Sequence, residues 1–122
     1  MINRKAIGDK GEKRALIFLV EQGFNILERN YRSKVGEIDI IAGRKNLIAF
    51  IEVKTRQSSR FGNPEEAVNR KKMRKIIKTA KYYLLVNNLY DKSDVRFDVL
   101  SIKEYKQDVE IEYFENAFRE EK

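Results

Sequence analysis

Three side chains in the stretch from Gly36 to Arg56 could do chemistry together, namely Asp39, Glu52 and Lys54. Glu52 and Lys54 are separated by one residue, so on a β-strand they lie on the same face. A two-residue turn at Lys45-Asn46 would place Asp39 directly opposite Glu52 on the neighbouring strand. Two facing carboxylates destabilise a sheet unless a cation lies between them. The spacing therefore predicts a cation site with a lysine beside it.

These side chains are suited to the hydrolysis of phosphodiester bonds. Asp39 and Glu52 supply hard oxygens for Mg²⁺ or Mn²⁺, and the carbonyl of Val53 is a further candidate ligand. A bound divalent cation polarises the scissile phosphate and lowers the pKa of a bound water. Lys54 would orient that water and stabilise charge on the phosphoryl oxygens. The alternative is a surface ion pair between Lys54 and Glu52 or Glu37, which contributes about 0–1 kcal/mol.

The composition excludes several other kinds of active site. The 122 residues include no histidine and no cysteine. Ser-His-Asp triads, histidine general bases, thiolate nucleophiles and disulfides are therefore excluded. Any metal site must use oxygen ligands, which favours Mg²⁺ or Mn²⁺.

Positive charge is concentrated in the first three quarters of the chain. The formal net charge is +7, and residues 1–94 carry 21 Lys and Arg against 11 Asp and Glu, whereas residues 95–122 carry 5 against 8. A basic body with an acidic end predicts a polyanionic partner, with nucleic acid, and DNA first, as the candidate. The alternative is a charged surface that only keeps the protein in solution.

Length and composition predict one domain over residues 1–122, with an acidic tail from about residue 115. A hydrophobic content of 42% is sufficient for a modest core. The sequence contains no apolar run that could span a membrane, and its first residues lack the apolar segment of a signal peptide. We therefore expect a cytoplasmic protein that does not associate with a membrane.

A first helix is predicted over residues 4–22, with Gly23 as its stop signal. Glu12 lies on nearly the same stripe as Ala15 and Leu19, so its carboxylate would be partly buried. From there Glu12 could complete the ligand shell of the metal ion, directly or through water. Its alternative role is that of an exposed glutamate at the edge of the helix. Small residues on this stripe would let the helix approach the sheet closely.

A first strand is predicted over residues 24–32, and it ends in a basic and aromatic cluster. Arg29, Asn30, Tyr31 and Arg32 could hold phosphates and stack on a base or sugar. Tyr31 has the alternative role of a half-buried strand tyrosine. Together with Arg56, which follows the predicted site, these residues are our candidate contacts for nucleic acid.

Two further strands are predicted at residues 36–42 and 47–55, joined by the turn. Alternation places Ile38, Ile40 and Ala42 together on the face opposite Asp39. The next helix is predicted to begin at Asn63 as N-cap and Pro64 as first residue, and to end near residue 86.

That helix combines an apolar stripe with a strongly basic remainder. The stripe comprises Met73, Ile76, Ile77, Ala80, Tyr83 and Leu84, and the basic positions are Arg70, Lys71, Lys72, Arg74, Lys75, Lys78 and Lys81. A helix lying on a membrane surface would have a similar pattern. We favour a helix that covers a sheet and turns its basic side to solvent or nucleic acid, because the preceding strands already supply a sheet.

The last strands are predicted at residues 95–102 and 109–114, followed by a short acidic helix or a frayed tail. The order α-β-β-β-α-β-β indicates an α/β sandwich, in which helices flank a mixed central β-sheet.

Several motifs together resemble the YraN family, small bacterial proteins of the restriction-endonuclease-like superfamily. They are G-x-x-G-E-x-x-A at 8–15, R-N-Y-R at 29–32, G-E-I-D-I-I-A at 36–42, I-E-V-K-T-R at 51–56, G-N-P-E-E-A-V at 62–68 and R-F-D-V at 96–99. The resemblance implies a restriction-endonuclease-like fold, with the PD-(D/E)xK core of the superfamily on Asp39, Glu52 and Lys54. Ile38 stands where the name of the motif has a proline.

The arrangement of Glu12, Asp39, Glu52 and Lys54 is also similar to that of archaeal Holliday-junction resolvases. This resemblance implies a Mg²⁺-dependent, structure-selective DNA nuclease, for which a homodimer would suit paired cuts on two strands.

Two functions are open at this point. The first is a Mg²⁺- or Mn²⁺-dependent endonuclease that hydrolyses DNA, including branched or junction DNA, in repair or recombination. The second is a non-catalytic nucleic-acid-binding module that retains the nuclease fold. Carboxylates that face a phosphate backbone repel it, so a module that only binds has little use for them.

Overall fold

The helices and strands follow one another in the predicted order, α-β-β-β-α-β-β. A computed structural model describes residues 4–56, 69–105 and 108–120, with the side chains of residues 4–10 and 105 excepted. Its elements are α1 (Arg4–Glu21), β1 (Asn25–Arg32), β2 (Glu37–Arg44), β3 (Leu47–Arg56), α2 (Arg70–Val86), β4 (Asp94–Tyr105) and β5 (Asp108–Phe118).

The described strands form one mixed sheet in the order β1-β2-β3-β4-β5. Strands β3 and β4 are parallel, and the other neighbouring pairs are antiparallel. Parallel neighbours cannot be joined by a hairpin, so the chain crosses over between them, and α2 lies in this crossover. Strands β1 and β5 form the edges of the sheet, and each shows a shift in register against its neighbour. The predicted α/β fold with a mixed central sheet is confirmed.

Side chains from the two faces of the sheet form two hydrophobic clusters. Ala15 of α1 packs in one cluster with Ile51 of β3. Ile76 of α2 packs in the other cluster with Phe50 of β3. Because adjacent strand residues point to opposite faces, α1 and α2 cover opposite sides of the sheet.

The predicted turn of the β2–β3 hairpin is confirmed, and its predicted register is confirmed as far as the pair of Ile40 and Ile51 but not for Asp39 and Glu52. Ile41 pairs with Phe50, as a turn at Lys45-Asn46 requires. Lys45 has a positive φ of 55°, which tight hairpin turns use to match the twist of the strands. The last pair of this ladder joins Ile40 to Ile51, one step before Asp39 and Glu52 would meet.

The alternation of side chains along β2 is interrupted at Asp39. Ile38 packs beneath α2, whereas Ile40 and Ala42 pack beneath α1. The prediction that these three residues share one face is therefore wrong. The ladder with β3 has ended at this point, and the ladder with β1 omits the pair of Asn30 and Asp39, where Asn30 has a positive φ of 51°. Asp39 thus lies where the two strands separate.

Helix α2 carries the predicted apolar stripe but begins later than predicted. Its N-cap is Asn69, whose extended backbone (φ −75°, ψ 169°) and side chain, accepting from the Lys72 N–H at 2.9 Å, mark a helix start. The prediction of one helix that runs without interruption from Pro64 is therefore wrong, because Asn69 is not helical. The predicted N-cap Asn63 and the predicted first helical residue Pro64 lie outside the described residues.

The end of the chain differs from the prediction. Strand β5 continues to Phe118, so a short acidic helix or a frayed tail from Glu115 is wrong. Phe118 is buried and stacks on Phe97 with 5.3 Å between ring centroids. Asn116, at a positive φ of 54°, allows the strand to bulge before it rejoins β4. Burial of one aromatic ring explains why an acidic segment remains in the sheet.

No helix in the described ranges is both long enough and apolar enough to cross a membrane.

Candidate functional site

Asp39 and Glu52 lie where the β2–β3 ladder ends. The Asp39 Oδ2 accepts a hydrogen bond from the backbone N–H of Val53 at 2.8 Å. This bond takes the place of a backbone pair and holds the carboxylate of β2 against the backbone of β3. The separation of the strands thus opens space for a carboxylate without leaving the Val53 N–H unpaired.

Glu52 is buried and contacts two lysines. Its Oε1 lies 3.5 Å from the Lys54 Nζ, as the shared face on β3 predicts. The same oxygen lies 2.6 Å from the Lys72 Nζ, which comes from the first turn of α2. Glu52 has only 6% of its surface exposed, so these ammonium groups provide the positive charge that a buried carboxylate requires.

Sequence reasoning placed Lys72 only on the basic outer side of α2. The structure brings it to the candidate site instead, because Lys72 precedes buried Ile76 by four residues and lies over the same side of the helix. That spacing was visible in the sequence. The N-cap at Asn69, which decides where the helix begins, was not recognised.

The electrostatics of the cluster disfavour two ionised carboxylates. Burial, followed by the nearby charge of Glu52, raises the pKa of Asp39 from 3.8 to about 7, against the opposing effects of the Val53 N–H and Lys72. Burial and the adjacent Lys72 lower the pKa of Lys54. Burial acts to lower the pKa of Lys72 as well, but its contacts with Glu52 and Lys54 outweigh burial and raise it.

Glu12 reaches the site from α1. Gly11, the preceding residue, is buried so closely against the Thr55 side chain that a Cβ at Gly11 would collide with it. This close approach, predicted from the small residues of the stripe, brings the half-buried Glu12 close enough to Asp39 to raise its pKa further. The Glu12 Oε1 is buried and has no hydrogen-bond partner among the described residues.

The donor atoms fit a hard divalent cation in type. Asp39, Glu52 and the unpartnered Glu12 oxygen are carboxylates, which Mg²⁺ and Mn²⁺ prefer. Across residues 4–56, 69–105 and 108–120, however, no three acidic side chains converge closely enough to hold a metal ion as they stand. The positive charge nearest to Glu52 belongs to Lys72. The role of the Val53 carbonyl as a ligand stays a prediction.

The predicted nucleic-acid contacts on β1 are exposed, with one exception. Arg29 and Asn30 are open to solvent, and Arg32 pairs with Glu37 at 3.3 Å on the surface. Tyr31 is half-buried and packs edge-on against Tyr83, with 5.2 Å between ring centroids. This packing corresponds to the alternative weighed for Tyr31, a half-buried strand tyrosine.

Arg56 is half-buried at the end of β3 and is engaged by other residues of the chain. It therefore differs from the open arginines of β1, and its contact with nucleic acid stays a prediction.

A second polar cluster, which sequence reasoning did not single out, is buried between β4 and β5. Asp98 is fully buried and accepts hydrogen bonds from the Arg96 side chain at 2.9 Å, from the Asn116 N–H at 2.8 Å and from the Tyr113 hydroxyl. Burial and the bond to Asp98 raise the pKa of Tyr113. The bonds from Tyr113 and Asn116 join β5 to β4, and the bond from Arg96 lies within β4, so we assign this cluster to stability.

Comparison with known proteins finds relatives of one family, UPF0102, that match most of the chain. A UPF0102 protein of Clostridioides difficile is 47% identical over 117 residues, which cover 96% of this chain and 100% of the relative. A UPF0102 protein of Clostridium perfringens is 45% identical over 117 residues, covering 94% of this chain and 95% of the relative. A UPF0102 protein of Persephonella marina is 50% identical over 95 residues, covering 78% and 81%.

The match to the family extends from residue 11 to residue 102. This range includes Glu12, Asp39, Glu52, Lys54 and Lys72 and ends within β4. In agreement with the resemblance found in the sequence, the chain belongs to the uncharacterised protein family UPF0102, the YraN family.

Proposed function

We propose that the protein is a Mg²⁺- or Mn²⁺-dependent nuclease that hydrolyses phosphodiester bonds of DNA, including branched or otherwise irregular DNA. One observation carries the proposal. Asp39 and Glu52, two carboxylates that repel one another, are held together at the open end of the β2–β3 ladder beside Lys54. Such a cluster costs stability, and a carboxyl with a raised pKa, as at Asp39, is typical of catalytic centres.

Each residue has a defined role in this proposal. Asp39, Glu52 and the unpartnered oxygen of Glu12 would hold the divalent cation, which supplies Lewis acidity and a more acidic water when it is bound. The Val53 N–H fixes the orientation of Asp39. Lys54, whose pKa is lowered, would donate a hydrogen bond to the attacking water or to the phosphoryl oxygens.

Lys72 has a different role, because its ammonium group is the partner of Glu52 in this structure. A second positive charge at Glu52 repels the first, so Lys72 would move away from Glu52 when a divalent cation binds there. The Lys72 side chain is 41% exposed, which leaves it room to turn toward a phosphate of the DNA. Lys72 would thus stabilise the site when metal is absent and bind substrate when metal is present.

The same ion pair is the observation that favours the second candidate function, a non-catalytic module. If Lys72 neutralises Glu52 permanently, the carboxylates no longer require a metal ion and the basic surface alone binds DNA. In that case, alanine substitution of Asp39 and Glu52 would leave the affinity for DNA unchanged or increase it.

Titration calorimetry with Mg²⁺ and Mn²⁺ tests the proposal, with wild type compared to the Asp39→Ala/Glu52→Ala double variant. The matched control is Glu37→Ala, an exposed acidic residue on the same strand. We expect wild type and control to bind metal and to cleave a panel of linear, flapped and four-way DNA. The double variant, purified identically and shown to be folded by circular dichroism, should do neither. Absence of metal binding by wild type, with and without DNA, would refute the nuclease and leave the binding module.

A further inference from the structure

A basic groove lies between α2 and the connection from β1 to β2. It has a volume of about 590 Å³ and is lined by Arg32, Ser33, Lys34, Val35, Lys78 and Tyr82. We call it the Tyr82 groove. Neither the candidate site nor the contacts predicted from the sequence include Lys34 or Tyr82.

The walls of the groove are held in place by close packing. The backbone at Gly36 approaches α2 so closely that a Cβ there would meet the Thr79 Oγ1 at 3.1 Å and the Lys75 Cβ at 3.3 Å. The Ser33 and Thr79 hydroxyl oxygens lie 3.3 Å apart, and the Ser33 N–H donates to the Gly36 carbonyl at 2.8 Å. The connection is therefore fixed to the helix, and the groove exists without a ligand.

The chemistry of the groove suits an unpaired nucleotide. Three cations line it, Arg32, Lys34 and Lys78, of which Arg32 also pairs with Glu37 on the surface. The lining, as far as the structure describes it, includes no acidic side chain. Tyr82 is 51% exposed and Val35 is 46% exposed, so an aromatic ring and an apolar side chain face solvent among these cations. Cations neutralise phosphates, and an exposed aromatic ring stacks on a base that is not paired. In contrast, the ring of Tyr31 is already packed against Tyr83.

The groove is aligned with the candidate site along one helix. Lys72, Lys75, Thr79 and Tyr82 follow one another at three- and four-residue spacing, so they lie along one side of α2. Lys72 contacts Glu52, and ten residues separate it from Tyr82. Ten residues of α-helix rise about 15 Å, so Tyr82 lies about 15 Å along the helix axis from Lys72.

We propose that the Tyr82 groove binds a single-stranded segment of DNA, with the ring of Tyr82 stacked on an unpaired base, about 15 Å along α2 from Lys72. The inference takes from the proposed function only that the partner is DNA. It names the class of substrate, a strand that is unpaired on one side of the site, as at the end of a duplex, a flap or a junction.

Fluorescence anisotropy with a labelled oligo-dT and a labelled blunt duplex tests the role of the ring, in EDTA so that no cleavage occurs. Tyr82→Ala should weaken binding of oligo-dT by about tenfold, and Tyr82→Phe should bind as wild type does. Tyr90→Ala is the matched control, because Tyr90 is exposed as well and does not line the groove. Binding of the blunt duplex should change little. Equal loss in Tyr82→Ala and Tyr90→Ala, or no loss, would overturn the proposal.

A pair of double variants tests the cations. Lys34→Ala/Lys78→Ala removes two charges from the groove. The control, Lys45→Ala/Lys92→Ala, removes two exposed lysines near the start of β3, at the end of the strand away from the candidate site. The Asp94 N–H donates to the Asn46 carbonyl there. Each contacted phosphate contributes about 0.7 to the salt dependence of single-strand binding, so the groove variant should lose about 1.4 from that slope. Equal losses in both variants would show that only net charge matters and would overturn the proposal.

The assay also separates this inference from the proposed function and from other partners. Binding that depends on Tyr82 supports the groove even if the protein proves inactive on every DNA substrate. Suppose that cleavage of flapped DNA is lost in Asp39→Ala/Glu52→Ala and is unaffected by Tyr82→Ala. That result would refute the binding of the unpaired strand in the groove and leave the proposed nuclease intact. Vesicles containing phosphatidylserine provide a further arm. If Tyr82→Ala weakens binding to these vesicles but not to oligo-dT, the groove binds a membrane surface and the inference fails.

Discussion

Replacing Asp39 by asparagine tests whether the site is maintained at the expense of stability. Asparagine keeps an oxygen that can accept the 2.8 Å bond from the Val53 N–H, but it removes the charge that burial and Glu52 disfavour. The pKa of Asp39 is raised from 3.8 to about 7 in the folded protein. Between these values the folded state binds a proton that the unfolded state releases. Stability of the wild type therefore falls as pH rises through this window.

The magnitude follows from the same values. A pKa raised from 3.8 to about 7 corresponds, at about 1.4 kcal/mol for each tenfold change in proton affinity, to about 4 kcal/mol. The carboxyl is half-buried, so solvent reduces this figure. We expect Asp39→Asn to exceed the wild type in free energy of unfolding by about 2–4 kcal/mol near pH 8 in EDTA. Near pH 4 the difference should disappear.

Urea unfolding followed by circular dichroism measures this difference at both pH values, in EDTA and in excess Mg²⁺. Glu37→Gln is the matched control, since it removes an exposed carboxylate from the same strand and should change stability little. Mg²⁺ should stabilise the wild type near pH 8 but not Asp39→Asn. If Asp39→Asn is less stable than the wild type near pH 8, or if the difference does not depend on pH, the account of the site is wrong.

Three further substitutions have directions set by the structure. Lys72→Met removes the ammonium nearest to Glu52, so the metal-free protein should lose about 1–2 kcal/mol of unfolding free energy, and added Mg²⁺ should restore most of it. Asp98→Asn should cost about 3 kcal/mol, because the fully buried Asp98 loses its charge and the partly buried Arg96 loses its charged partner. Gly11→Ala should cost about 1–3 kcal/mol and lower the thermal midpoint, because its methyl group would collide with Thr55.

Each of these substitutions has its own control in urea or thermal unfolding. Lys71→Met changes an exposed lysine in the same helical turn and should leave stability within about 0.5 kcal/mol. Glu112→Gln removes a carboxylate from the more exposed pair between Lys103 of β4 and Glu112 of β5, and it should cost less than Asp98→Asn. Thr55→Ala should relieve the defect of Gly11→Ala. A failure of Mg²⁺ to restore Lys72→Met would contradict the argument for Lys72. An equal cost of Glu112→Gln and Asp98→Asn, or no relief by Thr55→Ala, would contradict the arguments for Asp98 and Gly11.

The parts of the fold predicted correctly from the sequence are those set by local pattern. Alternation and the Lys45-Asn46 turn decide the register of one hairpin, so the proximity of Asp39 and Glu52 follows from residues close in the chain. The same reasoning failed at Ile38, because alternation assumes a regular pleat and the pleat is interrupted at Asp39.

The parts not predicted depend on contacts between distant segments. Lys72 belongs to the site only because α2 crosses the sheet above Glu52, which requires the topology and the position of the N-cap. Phe118 holds β5 in the sheet by stacking on Phe97. The acidic residues near it in the sequence favoured a helix or tail, so the last part of this strand was not predicted. The Tyr82 groove likewise requires that the connection after β1 contacts Thr79.

The two edges of the sheet determine how copies of this chain can associate. β1 shifts register between Ile26 and Glu28 and holds Asn30 at a positive φ of 51°, and β5 bulges at Asn116. Open sheet edges add strands from other molecules, and bulges and charged side chains oppose this addition. Neither edge is a good template for continuing the sheet into a second subunit. The predicted homodimer would therefore have to pack through helices or loops, which leaves each sheet a separate unit.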